Sequence, residues 1–241
     1  MPTATPAPLL LHSFPDGFRA LVLGASGGIG QAFVQALQAH PRCAAVLALH
    51  RRSQPALDLD NEASIAHAAQ AIRASGPFHL VVHAAGVLHG AGFMPEKKLG
   101  DLNYAQLEAT FRANTLGPAL VLRHFTPLLD RQRSVLALLS AKVGSIGDNR
   151  LGGWYSYRAS KAALNMLVKT AAIEVARSNP QAVLASLHPG TVNTALSQPF
   201  RGEQIGRAPA DAVHDMLAVL DGLRPEDSGG FYSYQGERLP W

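Results

Sequence analysis

A glycine-rich turn, Gly24-Ala25-Ser26-Gly27-Gly28-Ile29-Gly30, joins the apolar run Phe18–Leu23 to a helical pattern over residues 31–39. A short run of this kind suits a buried parallel strand. Strand, glycine turn and helix in succession aim backbone N–H groups and a helix N-terminus at a pyrophosphate. The spacing is G-x-x-x-G-x-G: Gly24 turns the chain, and Gly28 and Gly30 let a ligand approach the backbone. Few folds accommodate that unit outside an α/β sheet.

The rest of the chain repeats the alternation. Strands are expected at 44–49, 78–82 and 134–139, with 182–187 the sixth in order and 231–234 the last. That count includes the short segment Leu57-Asp58-Leu59, which follows residues 53–56 too closely to leave room for a helix. Helices are expected at 61–75, 104–129, 156–176 and 209–220, the second interrupted near Asn114-Thr115-Leu116-Gly117-Pro118 because Pro118 lacks a helical donor. The pattern predicts a single-domain α/β fold, a Rossmann-like doubly wound parallel sheet with helices on both faces. The domain spans 18–241, behind a frayed arm over 1–17.

The second strand ends at His50-Arg51-Arg52, where such folds read the adenosine ribose. An acid there would bind the 2′-hydroxyl of NAD; two guanidinium groups instead match a 2′-phosphate, so NADP(H) is favoured over NAD(H). Further along, Tyr157 and Lys161 lie four apart, on one face of a helix and one turn from each other. A fixed cation beside a phenol favours its charged form, so Lys161 is expected to lower Tyr157 below the usual value near ~10 and suit it to general acid work.

Composition narrows the field. The net charge is only +4, and no stretch clusters Lys and Arg with aromatics, so a nucleic-acid groove is unsupported. One cysteine, Cys43, excludes an internal disulfide and a Cys-based metal site, and no metal is expected. No apolar run reaches the roughly 18 residues of a membrane span, and a cytoplasmic protein is expected.

Gly24-x-x-x-Gly28-x-Gly30, the strand end His83-Ala84-Ala85-Gly86, Asn114, Ser140, Tyr157-x-x-x-Lys161 and Pro189-Gly190 stand in an order that resembles the short-chain dehydrogenase/reductases. Three further stretches make the chain similar to the C-factor and sniffer-type carbonyl reductase branch: residues 144–149, residues 154–158 and the closing Gly236-Glu237-Arg238-Leu239-Pro240-Trp241. The resemblance implies a reductase or dehydrogenase acting on a small carbonyl or secondary alcohol, assembled as a homodimer or homotetramer. It implies Tyr157 as proton donor, Lys161 on the nicotinamide ribose, Ser140 on the carbonyl oxygen and Asn114 holding a water.

Cofactor contacts are implied at Gly24, Ser26, Gly28, Ile29, Gly30, Arg51, Arg52, Asp58, Leu59, Ala84, Ala85, Gly86, Tyr157, Lys161, Pro189, Gly190, Val192 and Thr194. The sequence departs from the family pattern in places. His83 stands where Asn is usual and is expected to be a satisfied core histidine, and the shortened crossover predicts a thinner adenine flank. Ser140 also stands further ahead of Tyr157 than in most members. Alignment on Gly144 puts Ala141 in the serine's place, with Ser145 in reserve. Phe93, Trp154 and Phe200 point to an apolar cleft. The rival reading is a catalytically silent NADP-binding signalling or regulatory protein of the same fold.

Overall fold

The structure, a computed structural model, describes residues 9–90 and 92–241. Seven helices and six strands are described: β1 Phe18–Leu23, α1 Gly28–Gln38, β2 Cys43–Leu49, α2 Glu62–Ala71, β3 Leu80–His83, α3 Tyr104–Phe111, α4 Gly117–Phe125, β4 Ser134–Leu139, α5 Tyr155–Val175, β5 Ala182–His188, α6 Gly202–Ile205, α7 Pro209–Gly222 and β6 Gly230–Ser233. All strand pairs are parallel, in the order β2-β1-β3-β4-β5-β6.

Strand alternation divides the core in two. Ala20, Val22, Leu80, Val82, Val135 and Ala137 face α1 and α7, where Phe33, Leu37, Val213 and Leu217 cover them. Leu21, Leu23, Val81, Leu136, Leu138 and Leu184 face α2, α4 and α5, against Ile65, Phe125, Leu164 and Val168. The chain crosses to opposite sides of β1 on its way to β2 and β3. Sheets of this kind bind ligands outside the carboxyl ends of the strands at that switch.

Two expectations are corrected, and the expected break in the 104–129 helix takes a definite form. Leu57-Asp58-Leu59 forms no strand, so Ala182–His188 is the fifth; the Leu57 N–H donates to His50 O and the Asp58 N–H to Ser64 Oγ, which leaves a turn. β2 is therefore an edge strand. The segment at 61–75 is helical only through Ala71, with a separate 3₁₀ turn at Arg73–Ser75, and its N-cap Asn61 accepts from Ser64 N–H at 3.2 Å. Between α3 and α4 the break is a π-helical segment, Arg112–Leu116, in which the Gly117 N–H reaches five residues back to Arg112 O.

Residues 1–8 of the expected arm lie outside the described residues. From Leu9 onward the arm is not frayed: Leu11 and Phe14 are buried in the α1/α7 core. The Arg42 guanidinium donates to their carbonyls at 2.7 Å each, and Asp221 accepts the His12 and Ser13 N–H groups. Among the described residues no helix is long and apolar enough to cross a membrane.

Candidate active site

The glycine turn is shaped by close approach. Gly24 has φ +82°, and a Cβ there would sit 2.7 Å from Ala85 N, so β1 and the end of β3 touch. A Cβ on Gly30 would fall 2.2 Å from Gly24 O. α1 begins at Gly28 rather than at Gln31, so Gly28, Ile29 and Gly30 form its first turn. Ser26, Gly27 and Gly28 are exposed there, and a Cβ on Gly28 would come 2.8 Å from the Thr194 methyl. An exposed helix start with no side chain over it, walled by Thr194, fits a dinucleotide's diphosphate.

The other proposed cofactor residues converge on the same edge. Gly24 and Ala25 N–H donate to Leu49 O, so the end of β2 with Arg51 and Arg52 lies beside the turn. Both arginines are exposed, and among the described residues neither forms an ion pair. Asp58 and Leu59 are half-buried on the following turn, Leu59 O lying where a Cβ on Gly117 would be 2.7 Å away. Ala84 N–H donates to Leu23 O at 2.8 Å, which fixes the Ala84-Ala85-Gly86 strand end against β1. After β5, Pro189 leads to Gly190 with φ +75° against the Tyr234 ring, and Val192 is buried in the α1/α7 core.

The catalytic candidates gather at the carboxyl ends of β3 and β4. Lys161 Nζ stands 5.8 Å from the Tyr157 ring centroid and donates to Leu139 O at 2.9 Å. A Cβ on Gly86 would be 3.2 Å from Asn114 Oδ1 and 3.4 Å from Lys161 Nζ, which places all three together. Asn114 makes three hydrogen bonds: its Oδ1 accepts from Val87 N–H, and its Nδ2 donates to Val87 O and to Ser160 Oγ, which leaves one Oδ1 lone pair. The π-helical segment turns Asn114 inward, and Thr115 Oγ donates to Ser160 O.

The expected lowering of the phenol is not found. Burial pushes Tyr157 up to about 12 and Lys161 down to about 8, because each loses hydration of its charged form. Desolvation outweighs the neighbouring charge that the spacing alone predicted. His83 is also corrected: it is buried, but both ring nitrogens lack a hydrogen-bond partner among the described residues. Burial first, then the Lys161 charge, hold it neutral with a pKa of about 3.

Ser140 and Ala141 face opposite ways. The Ser140 hydroxyl, continuing the α5-facing positions Leu136 and Leu138, donates to Asn165 Oδ1 at 2.7 Å. Ala141 instead packs with Leu88 and Tyr157, and Val143, Trp154, Leu196 and Phe200 close around them. A serine has one O–H to donate, and this one is committed to Asn165. Ser145 is buried and its Oγ accepts from Asp148 N–H at 3.1 Å. The expected cleft keeps Trp154 and Phe200, whose rings lie 5.0 Å apart, whereas Phe93 packs over Gly90. Sequence reasoning missed Asn165, which lies one turn beyond Lys161 on α5; its helical spacing from Lys161 was the available signal.

On Ser140 we expect a modest outcome: Ser140→Ala should cost about 1 kcal/mol of stability, the worth of one buried hydrogen bond, with turnover nearly unchanged. Denaturant melts and steady-state rates check this. A loss of roughly 10²–10³ in kcat, the scale of an oxyanion donor, would put the hydroxyl on the substrate instead.

Residues 19–205 match the family model described as short chain dehydrogenase. Over 169 residues the chain is 40% identical to C-signal of Myxococcus xanthus, covering 69% of this chain and 95% of that protein. It is 34% identical over 188 residues to 1-hydroxy-2-glutathionyl-2-methyl-3-butene dehydrogenase of Rhodococcus sp. (strain AD45), covering 78% and 80% respectively. The NADPH-bound carbonyl reductase from chicken fatty liver superposes with a TM-score of 0.80 at 26% identity, covering 95% of this chain and 100% of that one. The D. melanogaster carbonyl reductase Sniffer, at 21% identity, shares the fold with a TM-score of 0.80 and the same coverage. These likenesses agree with the C-factor and sniffer-type resemblance. The chain belongs to the short-chain dehydrogenase/reductase family of oxidoreductases.

Proposed function

We propose that this protein is an NADP(H)-dependent oxidoreductase acting on a small carbonyl or secondary alcohol, with Tyr157 as its general acid and base. The observation that carries the reading is the buried phenol–ammonium pair beside Gly86 and Asn114, at the carboxyl edge of the sheet. The nicotinamide, when bound, supplies or accepts the hydride. In the reducing direction Tyr157 gives its proton to the carbonyl oxygen as negative charge builds there. With a pKa of about 12 the phenol is protonated throughout the neutral range, and the Lys161 ammonium beside its ring stabilises the phenolate it leaves.

Leu88, Ala141, Val143, Leu196, Trp154 and Phe200 surround the phenol with apolar surface. We place apolar carbonyl compounds there, oriented by Tyr157. Leu116, Met166 and Ile173 stay exposed along the α4–α5 side, the surface a homodimer or homotetramer would cover. The single free cysteine, Cys43, suits the cytoplasm.

Arg51 and Arg52 support the cofactor choice. Replacing both with Ala should weaken NADPH at least tenfold while NADH changes little, on the scale of one charge-assisted contact at about 1.5–3 kcal/mol. Fluorescence titration with both coenzymes checks it, and equal losses would remove the phosphate contact.

The silent signalling alternative draws on the C-signal relative. A panel of aldehydes, ketones and quinones with NADPH separates the two: loss of reduced-nicotinamide absorbance supports the enzyme. Tight NADPH binding with no turnover across the panel would favour the sensor.

A further inference from the structure

Glu96 is the one acid in residues 87–100, and it is 2% exposed. Among the described residues it forms no ion pair. A buried carboxylate is costly unless its lone pairs are satisfied. Here both oxygens are used at the start of α5: Ser156 N–H donates to Oε2 at 3.2 Å, and the Ser156 hydroxyl donates to Oε1. The positive end of the helix favours the charge as well.

The preceding turn explains why α5 needs this help. Gly152, Gly153 and Trp154 are all left-handed, with φ of 64°, 64° and 53°. That conformation is costly for a residue with a side chain and persists only when its surroundings hold it. Trp154 is the N-cap position of α5 and supplies no side-chain cap. The backbone carbonyl of Glu96 accepts the Trp154 N–H, so one residue holds the strained turn with its main chain and caps the helix with its side chain. The Trp154 ring then stands edge-on to Tyr157, with centroids 6.2 Å apart.

We propose that Glu96 is a positioning residue for Tyr157. Its carboxylate replaces the missing N-cap of α5, locks the 152–154 turn and ties the segment 87–100, whose Leu88 packs with Tyr157, to the proton donor. This rests on Tyr157 being that donor. The glycine turn at the start of α1 takes no part in the clamp, so the grip on the coenzyme's diphosphate is independent of it.

The test uses the full chain with Glu96→Ala and Glu96→Gln. Benzaldehyde reduction by NADPH, NADPH affinity by fluorescence, and hydrogen exchange across the peptides 87–100 and 152–160 are measured. Glu96→Ala should lower kcat roughly tenfold to a hundredfold, as a displaced reacting group does, with NADPH affinity falling far less than kcat and faster exchange in both peptides together. Glu96→Gln should recover most of the rate, since its carbonyl can accept from Ser156 N–H and its NH₂ can donate to Ser156 Oγ.

A Glu96→Ala protein that melts earlier but keeps kcat and KM would overturn the proposal. If Glu96→Ala does not fold, Ser156→Ala decides: it removes the hydroxyl half of the clamp and should slow turnover and loosen the same two peptides, and no change in either would overturn the idea. If the wild-type protein binds NADPH but reduces no carbonyl, it is the Tyr157 reading that fails. The exchange pattern then decides the clamp: coupled loosening of the two peptides supports it, and its absence overturns it.

Discussion

Tyr157→Phe should cut turnover by roughly 10²–10⁴, the range a positioned general acid contributes, while NADPH still binds. The substitution keeps the ring that packs against Ala141, Leu88 and Trp154, so the local core is preserved. Only the proposed proton donor disappears. The proposed coenzyme cradle, Gly24–Gly30 and Thr194, lies on other elements and is not disturbed. Steady-state kinetics alongside NADPH titration checks both halves. Retained turnover would take Tyr157 out of the chemistry, and lost binding would mean that the hydroxyl holds the coenzyme rather than only giving a proton.

Lys161→Met should abolish most activity yet make the protein more stable at neutral pH. In the folded chain burial holds the ammonium at about 8, against its usual 10.5. Below pH 8 both folded and unfolded chains carry the proton, and the folded state bears the whole burial penalty, on the order of 3 kcal/mol. As pH rises from 8 to 10.5 the folded state gives up its proton first and the penalty is relieved. Methionine removes the charge altogether, but it leaves the Leu139 carbonyl without its donor, at about 1 kcal/mol.

The net expectation is a gain of about 2 kcal/mol at pH 7 that fades toward pH 10.5. Tyr157 acts in the opposite direction at higher pH: its folded value of about 12 exceeds the usual 10.0, so stability falls as pH climbs between the two. Denaturant melts of both proteins at pH 7 and pH 9.5 test the Lys161 effect below the range where Tyr157 contributes. A Lys161→Met protein less stable than wild type at pH 7 would show that the ammonium is not paying a burial cost.

Such trade-offs, in which a site costs stability, are where local reading of a sequence succeeds least. The glycine turn was legible because only glycine tolerates Gly24's φ and the close contacts at Gly24 and Gly30. The strands were legible because buried parallel strands read as continuous apolar runs, and Ser134–Leu139 falls where expected. Leu57-Asp58-Leu59 misled because Leu57 is as buried as a strand residue, while its backbone bonds go to a turn and to Ser64.

At the site, the four-residue spacing gave the proximity of Tyr157 and Lys161 but not their desolvation, which comes from distant elements closing over them. Ser140's direction depends on which face of β4 carries α5, and that is a property of the assembled sheet. Glu96 was out of reach because its partner Ser156 is 60 residues away.

A crystal structure with NADP⁺ bound bears most directly on the account. We expect the Tyr157 hydroxyl to face the nicotinamide across an apolar space bounded by Ala141 and Phe200, with Lys161 on the ribose and Arg51 or Arg52 on the 2′-phosphate. A nicotinamide ring lodged away from the Tyr157 hydroxyl would contradict it.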